Sequence, residues 1–162
     1  TPIDEADVAQ AEQGFETLYS GVDLSGWVLT PQDRDRLHVR DWVLRAEAVE
    51  SPLTLATERT FESYEFIFDL KVGGERATVN LLPHGSRGTG LHLDSESEPL
   101  ASALSAGWNR LRGTYRAGRL EVTVNSVPCK AAVLAGTPES GPLRLEIEGV
   151  VDLANLYARD LD

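Results

Sequence analysis

His92 and Asp94 are the residues whose types and spacing come nearest to chemistry. They stand two apart in Gly90-Leu91-His92-Leu93-Asp94, just after the glycine-rich stretch Gly85-Ser86-Arg87-Gly88-Thr89-Gly90. In an extended strand such residues share a face. An imidazole beside a carboxylate can act as a general base or hold a metal, and proton abstraction next to a carbonyl suits such a pair. They are the candidate catalytic residues, and His84, on the same stretch, is a candidate further ligand. Arg110, Arg112, Glu65 and Glu146 are the candidate substrate-binding residues, because guanidinium and carboxylate groups offer planar, directional hydrogen bonds. Two polar residues beside a turn, on an ordinary solvated face, would read the same way.

Paired carboxylates are the other route to chemistry, since glycosidases set two of them about 5–9.5 Å apart. Glu65 and Asp69 share a strand face but lie roughly 13 Å apart along it. Glu146 and Glu148 lie about 7 Å apart on one face, although any strand reading Glu-x-Glu has that spacing. The Glu-x-Asp-x-x-Glu signature of sandwich glucanases is absent, as are phosphate loops, dinucleotide fingerprints and a Ser/His/Asp signature. The lone cysteine, Cys129, excludes an internal disulfide and a cysteine zinc site. Asp23 near Gly21 has nothing to complete a calcium site. No metal ligand set is assigned, and the cofactor is unknown.

The elements that must position these residues are strands. Tyr64-Glu65-Phe66-Ile67-Phe68-Asp69-Leu70 alternates most clearly, with Gly73-Gly74 read as the turn that follows. Trp42 to Ala46, Ala77 to Leu82, Gly90 to Asp94, Arg110 to Tyr115, Arg119 to Asn125, Leu143 to Ile147 and Val151 to Leu161 alternate too. Ala117-Gly118 signals a hairpin. Roughly eight to twelve short strands with period-two patterning predict an antiparallel sandwich or barrel. Each apolar set must face the opposing sheet, leaving each polar set outward. Residues 1–13 are acidic and small and read as a linker or short helix capped by Asp4. The expected single domain is 14–162.

Composition limits the partners. The chain has 162 residues and a formal net charge of −11. Nucleic acid and anionic lipid attract basic patches, so neither is expected. No apolar run is long enough for a membrane span. Among the fifteen basic residues only Lys71 and Lys130 are lysine.

Gly14-Phe15-Glu16-Thr17-Leu18-Tyr19-Ser20-Gly21-Val22-Asp23-Leu24-Ser25-Gly26-Trp27 resembles the opening signature of the 3-keto-disaccharide hydrolase domain family, in the concanavalin A-like lectin/glucanase superfamily. That family opens on Gly-Phe, then Leu-Phe-Asn-Gly, then Asp-Leu-Ser-Gly-Trp. Later pieces follow in the family's order: Val39 to Leu44, Leu55 to Thr57, Phe61 to Phe66, Trp108-Asn109, Gly118 to Asn125, Gly141 to Leu145 and Asn155 to Leu161. The resemblance spans about 14–161. It implies a two-sheet jelly-roll sandwich of the concanavalin/laminarinase kind. It also implies attack on 3-keto-glycosides or glycan binding, in a bacterial protein exported to the periplasm or cell exterior. The pattern departs between Val79 and Gly107, where the family's Asn-Ser-Gly-Ile-x-x-Arg stretch gives way to Val79-Asn80-Leu81-Leu82-Pro83-His84.

Three functions follow as expectations. One is a hydrolase or lyase on modified glycosides, with His92 or Asp94 sharing a pocket with Arg110 or Arg112. The second is a non-catalytic carbohydrate-binding module with a degenerate pocket, carried on a larger cell-surface protein. The third is a protein-interaction sandwich, including a homo-oligomer.

Overall fold

The computed structural model describes residues 13–84, 91–94, 107–129, 131–133 and 138–161. In chain order the elements are β1 (Glu16–Thr17), β2 (Trp27–Val28), α1 (Pro31–Asp35), β3 (Leu37–Arg40), β4 (Val43–Phe61), β5 (Tyr64–Pro83), β6 (Leu91–Asp94), β7 (Asn109–Arg116), β8 (Arg119–Val124), β9 (Val127–Pro128), β10 (Ala132–Val133) and β11 (Gly141–Asp160). Every strand pairing is antiparallel. The all-β antiparallel sandwich expected from the alternation, and the jelly roll that the resemblance implies, are the observed fold. The expected linker at 1–13 and the glycine-rich loop at 85–90 lie outside the described residues, apart from Gln13.

Three strands are far longer than the alternation suggests, and each serves both layers. Gly73-Gly74 is not a turn, because β5 runs through it from Tyr64 to Pro83. Leu143–Ile147 and Val151–Leu161 are likewise one strand, β11. The correction has a physical cause. Glycine marks a close backbone approach as readily as a turn, and a β-carbon on Gly73 would lie 3.3 Å from the Val150 carbonyl oxygen. Opposite it, β11 bends at Gly149, whose φ is +82°, where both of its pairings shift register.

The bend exchanges which residues point inward. In β5 the inward apolar residues are Tyr64, Phe66, Phe68 and Leu70 before it, and Ala77, Val79 and Leu81 after it. In β4 they are Leu44, Ala46 and Ala48, then Leu53 and Leu55. The first layer thus runs β10-β8-β7-β5-β11-β4-β3, and the second runs β6-β5-β11-β4-β2. Their inner faces share one continuous apolar cluster. Trp27 is 3% exposed within it, a core plug. The hairpin at Ala117-Gly118 is present, with both residues at positive φ.

The expectation that every polar set faces solvent fails in the first layer. Ile67 and Asp69 lie on the outward side of β5, yet both are 0% exposed. Among the described residues no helix is long and apolar enough to cross a membrane.

Gly113 makes the tightest approach in the core. It pairs across the strands with Phe66, and a β-carbon there would stand 2.2 Å from the ring. Phe66 is fully buried and cannot yield. Gly113→Ala should therefore lower unfolding stability by about 2 kcal/mol or more, in the range of overpacked cores. Urea denaturation checks this, and a loss under about 0.5 kcal/mol, within ordinary surface-substitution scatter, would show that the core gives way.

Candidate functional site

Asp69 is the centre of the first layer's outer face. Alternation places it outward on β5, one strand from Arg110 of β7, its partner in register. The guanidinium grips it with two bonds, Nε to Oδ1 at 2.8 Å and Nη2 to Oδ2 at 2.8 Å. A third donor arrives from a bulge in β11, where Asn155 adopts φ +48° as the register with β5 shifts. The extra residue turns its amide onto Asp69 Oδ2 at 2.7 Å, the re-aiming that bulges permit. Asn125, at positive φ in the turn after β8, accepts from the Arg110 backbone N–H at 3.0 Å and donates to Asn109 Oδ1 at 2.8 Å. Asn109 in turn donates to the Gly107 carbonyl at 3.1 Å, which holds the backbone on both sides of Trp108.

Two further arginines grip carboxylates on neighbouring strands, Arg45 through both oxygens of Asp152 and Arg159 through Glu65 Oε2 alone. Arg45 of β4 donates twice to Asp152 of β11, at 2.7 and 3.0 Å. Arg159 of β11 donates to Glu65 of β5 at 2.9 and 2.5 Å and lies over the Phe15 ring, 4.8 Å from its centre. The bond to Asp152 pushes the Arg45 guanidinium further above its ordinary value.

Depressions flank this network on either side. A groove of about 530 Å³ is walled by Arg40, Arg45, Lys71, Trp108, Glu47 and Asp152. That size suits a small-molecule site. The second, over β7 and β8, is lined by Glu65, Arg112, Arg119, Glu121, Thr123 and Cys129. Burial pushes the Cys129 thiol above its ordinary value, which disfavours the nucleophilic thiolate.

The sequence-derived candidates divide between opposite faces. Glu65, Arg110 and Arg112 lie on the first layer. Glu65 and Arg110 are engaged by Arg159 and Asp69, while Arg112 is exposed. His92 and Asp94 belong to β6, the edge of the second layer, where they pair with Asn80 and Thr78. Glu146 pairs with Asn80 from the other side, and Glu148 with Thr78. The fold therefore aligns His92, Asn80 and Glu146 in one row, and Asp94, Thr78 and Glu148 in the next. It does not put His92 or Asp94 with Arg110 and Arg112, because the bend in β5 sends the two halves of that strand into different layers. The side chains of His92 and Asp94 lie outside the described residues.

His84 is a core residue rather than a surface ligand. It is 5% exposed, its Nδ1 is 2.7 Å from the Pro138 carbonyl, and it packs edge-on against Tyr115. Burial pushes the neighbouring Tyr64 phenol far above its ordinary value. Asp23 is occupied locally, accepting from the Ser25 amide and from the hydroxyls of Ser25 and Ser20, which hold its carboxyl below the usual range. No cluster of metal-ligating side chains occurs among the described residues.

The groove residues Arg45, Lys71 and Asp152 escaped the sequence reading. Asp152 and Arg45 are 107 positions apart, and only the β4–β11 register joins them. The available signal was outward polar residues on strands next to the clearest one.

Removing the Asp69 carboxylate takes two parallel bonds from a largely buried guanidinium and one from the Asn155 amide. Breaking a buried pair costs about 3–5 kcal/mol. Arg110 keeps some contact with water, its side chain being 21% exposed, so Asp69→Ala should cost about 3 kcal/mol, the lower end of that range. Guanidinium chloride unfolding checks this. A loss under about 1 kcal/mol, the size of an ordinary surface pair, would mean the network is not structural.

No family model matches the chain, and no curated protein matches it. Solved structures do match it. A candidate glycosyl hydrolase from Parabacteroides distasonis aligns with TM-score 0.71 at 15% identity, over 96% of this chain and 98% of that one. A second from the same organism gives TM-score 0.68 at 15% identity, over 91% and 99%. The carbohydrate-binding module CBM66 from Bacillus subtilis gives 0.51 at 9% identity, over 88% and 93%. At these identities the likeness establishes that the chain has their sandwich fold.

Proposed function

We propose that this chain is a carbohydrate-recognition domain whose binding face is the outer side of the first layer. The observation that carries the reading is the groove beside Trp108. It combines an aromatic wall with the doubly bonded Arg45–Asp152 pair and the Lys71 ammonium. Sugars present hydroxyls that both donate and accept, together with apolar C–H faces. Planar side chains fixed by their neighbours meet the first need, and an aromatic surface meets the second. Preformed geometry limits the ordering cost of binding. The names of the similar structures, candidate glycosyl hydrolases and a carbohydrate-binding module, support the same reading. Action outside the cytoplasm belongs to this proposal through the resemblance to exported bacterial proteins.

Calorimetric titration with linear oligosaccharides and 3-keto-glucosides tests it. Saturable binding is expected, weakened about tenfold by Arg45→Ala, the worth of one charge-assisted hydrogen bond. Absence of binding across neutral and charged sugars would end this reading.

One observation favours a second reading, cleavage of 3-keto-glycosides. The second layer aligns His92 with Glu146 across Asn80, and the Glu146 carboxylate has no hydrogen-bond or ion-pair partner among the described residues. A general base at either position predicts that His92→Ala or Glu146→Gln lowers turnover of 3-keto-glucosides by about 10²–10⁴-fold. Unchanged turnover in both variants, or none in the parent protein, would exclude it.

A further inference from the structure

Each carboxylate lining the two depressions of the first layer already has a basic side chain against it. In the groove, Asp152 is held by Arg45, and Glu47 lies 3.4 Å from His38 Nε2. Over β7 and β8, Glu65 is held by Arg159 and Glu121 by Arg119. Between the depressions, Asp69 is held by Arg110. What remains is positive. Arg40 and Lys71 in the groove and Arg112 in the second depression are exposed, without a hydrogen-bond or ion-pair partner for their side chains among the described residues.

That surplus runs against the composition. The chain has 26 acidic and 15 basic residues, so indiscriminate placement would leave carboxylates unpaired on this face instead. Distant acids do little to cancel the surplus, because exposed charges are screened within about 8 Å at physiological ionic strength. The near groups decide the local field.

We propose that the first layer takes an anionic carbohydrate, an oligosaccharide bearing carboxylate or sulfate groups, with Arg112 and Lys71 each receiving one of those groups. This rests on the carbohydrate reading above and narrows it. Lys71 stands four residues along β5 from Ile67, which pairs with Arg112. The two backbone positions are thus about 14 Å apart, combining four strand steps with one inter-strand spacing. Side chains standing perpendicular to the sheet at that spacing meet separate anionic groups, so the proposed ligand carries at least two, on separate sugar units. Arg112 can take its group with two parallel bonds, whereas Lys71 acts as a point charge. Arg110 lies between them but spends its guanidinium on Asp69, and serves as a fixed floor.

The test is calorimetric titration of the full chain with three hexasaccharides: an unsubstituted β-glucan, a polyuronate and a sulfated galactan. At least one anionic probe should bind about tenfold tighter than the glucan or better, as a charge-assisted bond allows. Arg112→Glu and Lys71→Glu should each remove about that factor, so that the preference for the anionic probe over the glucan, both measured on the same variant, falls to within about twofold. Both side chains are exposed, so unchanged unfolding midpoints should accompany the loss. Tight binding of the polyuronate alone identifies a carboxylate ligand, and tight binding of the galactan identifies sulfate as an acceptable group. Glucan binding as strong as that of both anionic probes, or anionic binding that survives both substitutions, overturns the proposal and leaves the carbohydrate reading intact. Failure of all three probes to bind overturns both.

Discussion

Three strands that bend from one layer into the other set the terms for the rest of the molecule. Because β4, β5 and β11 are shared, the two layers cannot slide independently. The bend at Gly73 and Gly149 reverses the sense of alternation in β5, so one strand presents Glu65 and Asp69 on one outer face and Thr78 and Asn80 on the other. A residue's function then depends on which side of the bend it lies, more than on its distance along the chain. That separates His92 and Asp94 from Arg110 and Arg112, despite the short sequence between them.

The arginine–carboxylate pairs of the first layer differ in energy although their geometry is alike. Asp69 is fully buried and takes three donors, so its pairing is structurally necessary. The Arg45–Asp152 pair has its arginine half exposed, and Arg119–Glu121 is exposed on both sides, where ion pairs contribute little to stability. The latter pairs matter for orientation. A guanidinium locked by two bonds presents its remaining N–H groups in a fixed plane, which a ligand meets without ordering them.

The alternation made the antiparallel sandwich, the inward residues of single strands and the Ala117-Gly118 hairpin legible from the residues alone, because side-chain period is a local property. The bends were not legible. Gly73-Gly74 carries the composition of a turn, and only the Val150 backbone pressed against it distinguishes a bent strand from a reversed one. The Asp69 network was hidden for a related reason. Nothing local says that an outward aspartate is buried, and its partners come from register with β7 and from a bulge at Asn155, a residue type that tolerates left-handed backbone. Lys71 and Asp152 meet through a pairing between strands far apart in sequence. Arg112 on β7 and Glu65 on β5 share the first layer's outer face, which the alternation of each strand made legible.

Pairing also constrains where chemistry can occur. A two-carboxylate glycosidase needs one acid with a proton to give and a second carboxylate free to attack or to activate water. On the first layer Asp69 and Asp152 have both oxygens committed to arginine or asparagine donors. A substrate would have to break those bonds before either could react. On the second layer Glu146 and Glu148 are two residues apart, on strand positions that adjoin Asn80 and Thr78, with β6 beyond. Neither has a guanidinium on it among the described residues. The same pairing that makes the first layer a cation-bearing floor therefore disfavours Asp69 and Asp152 as catalysts. Under the proposed readings, binding and any bond cleavage fall on opposite faces of one sandwich, joined by the strands that bend between them.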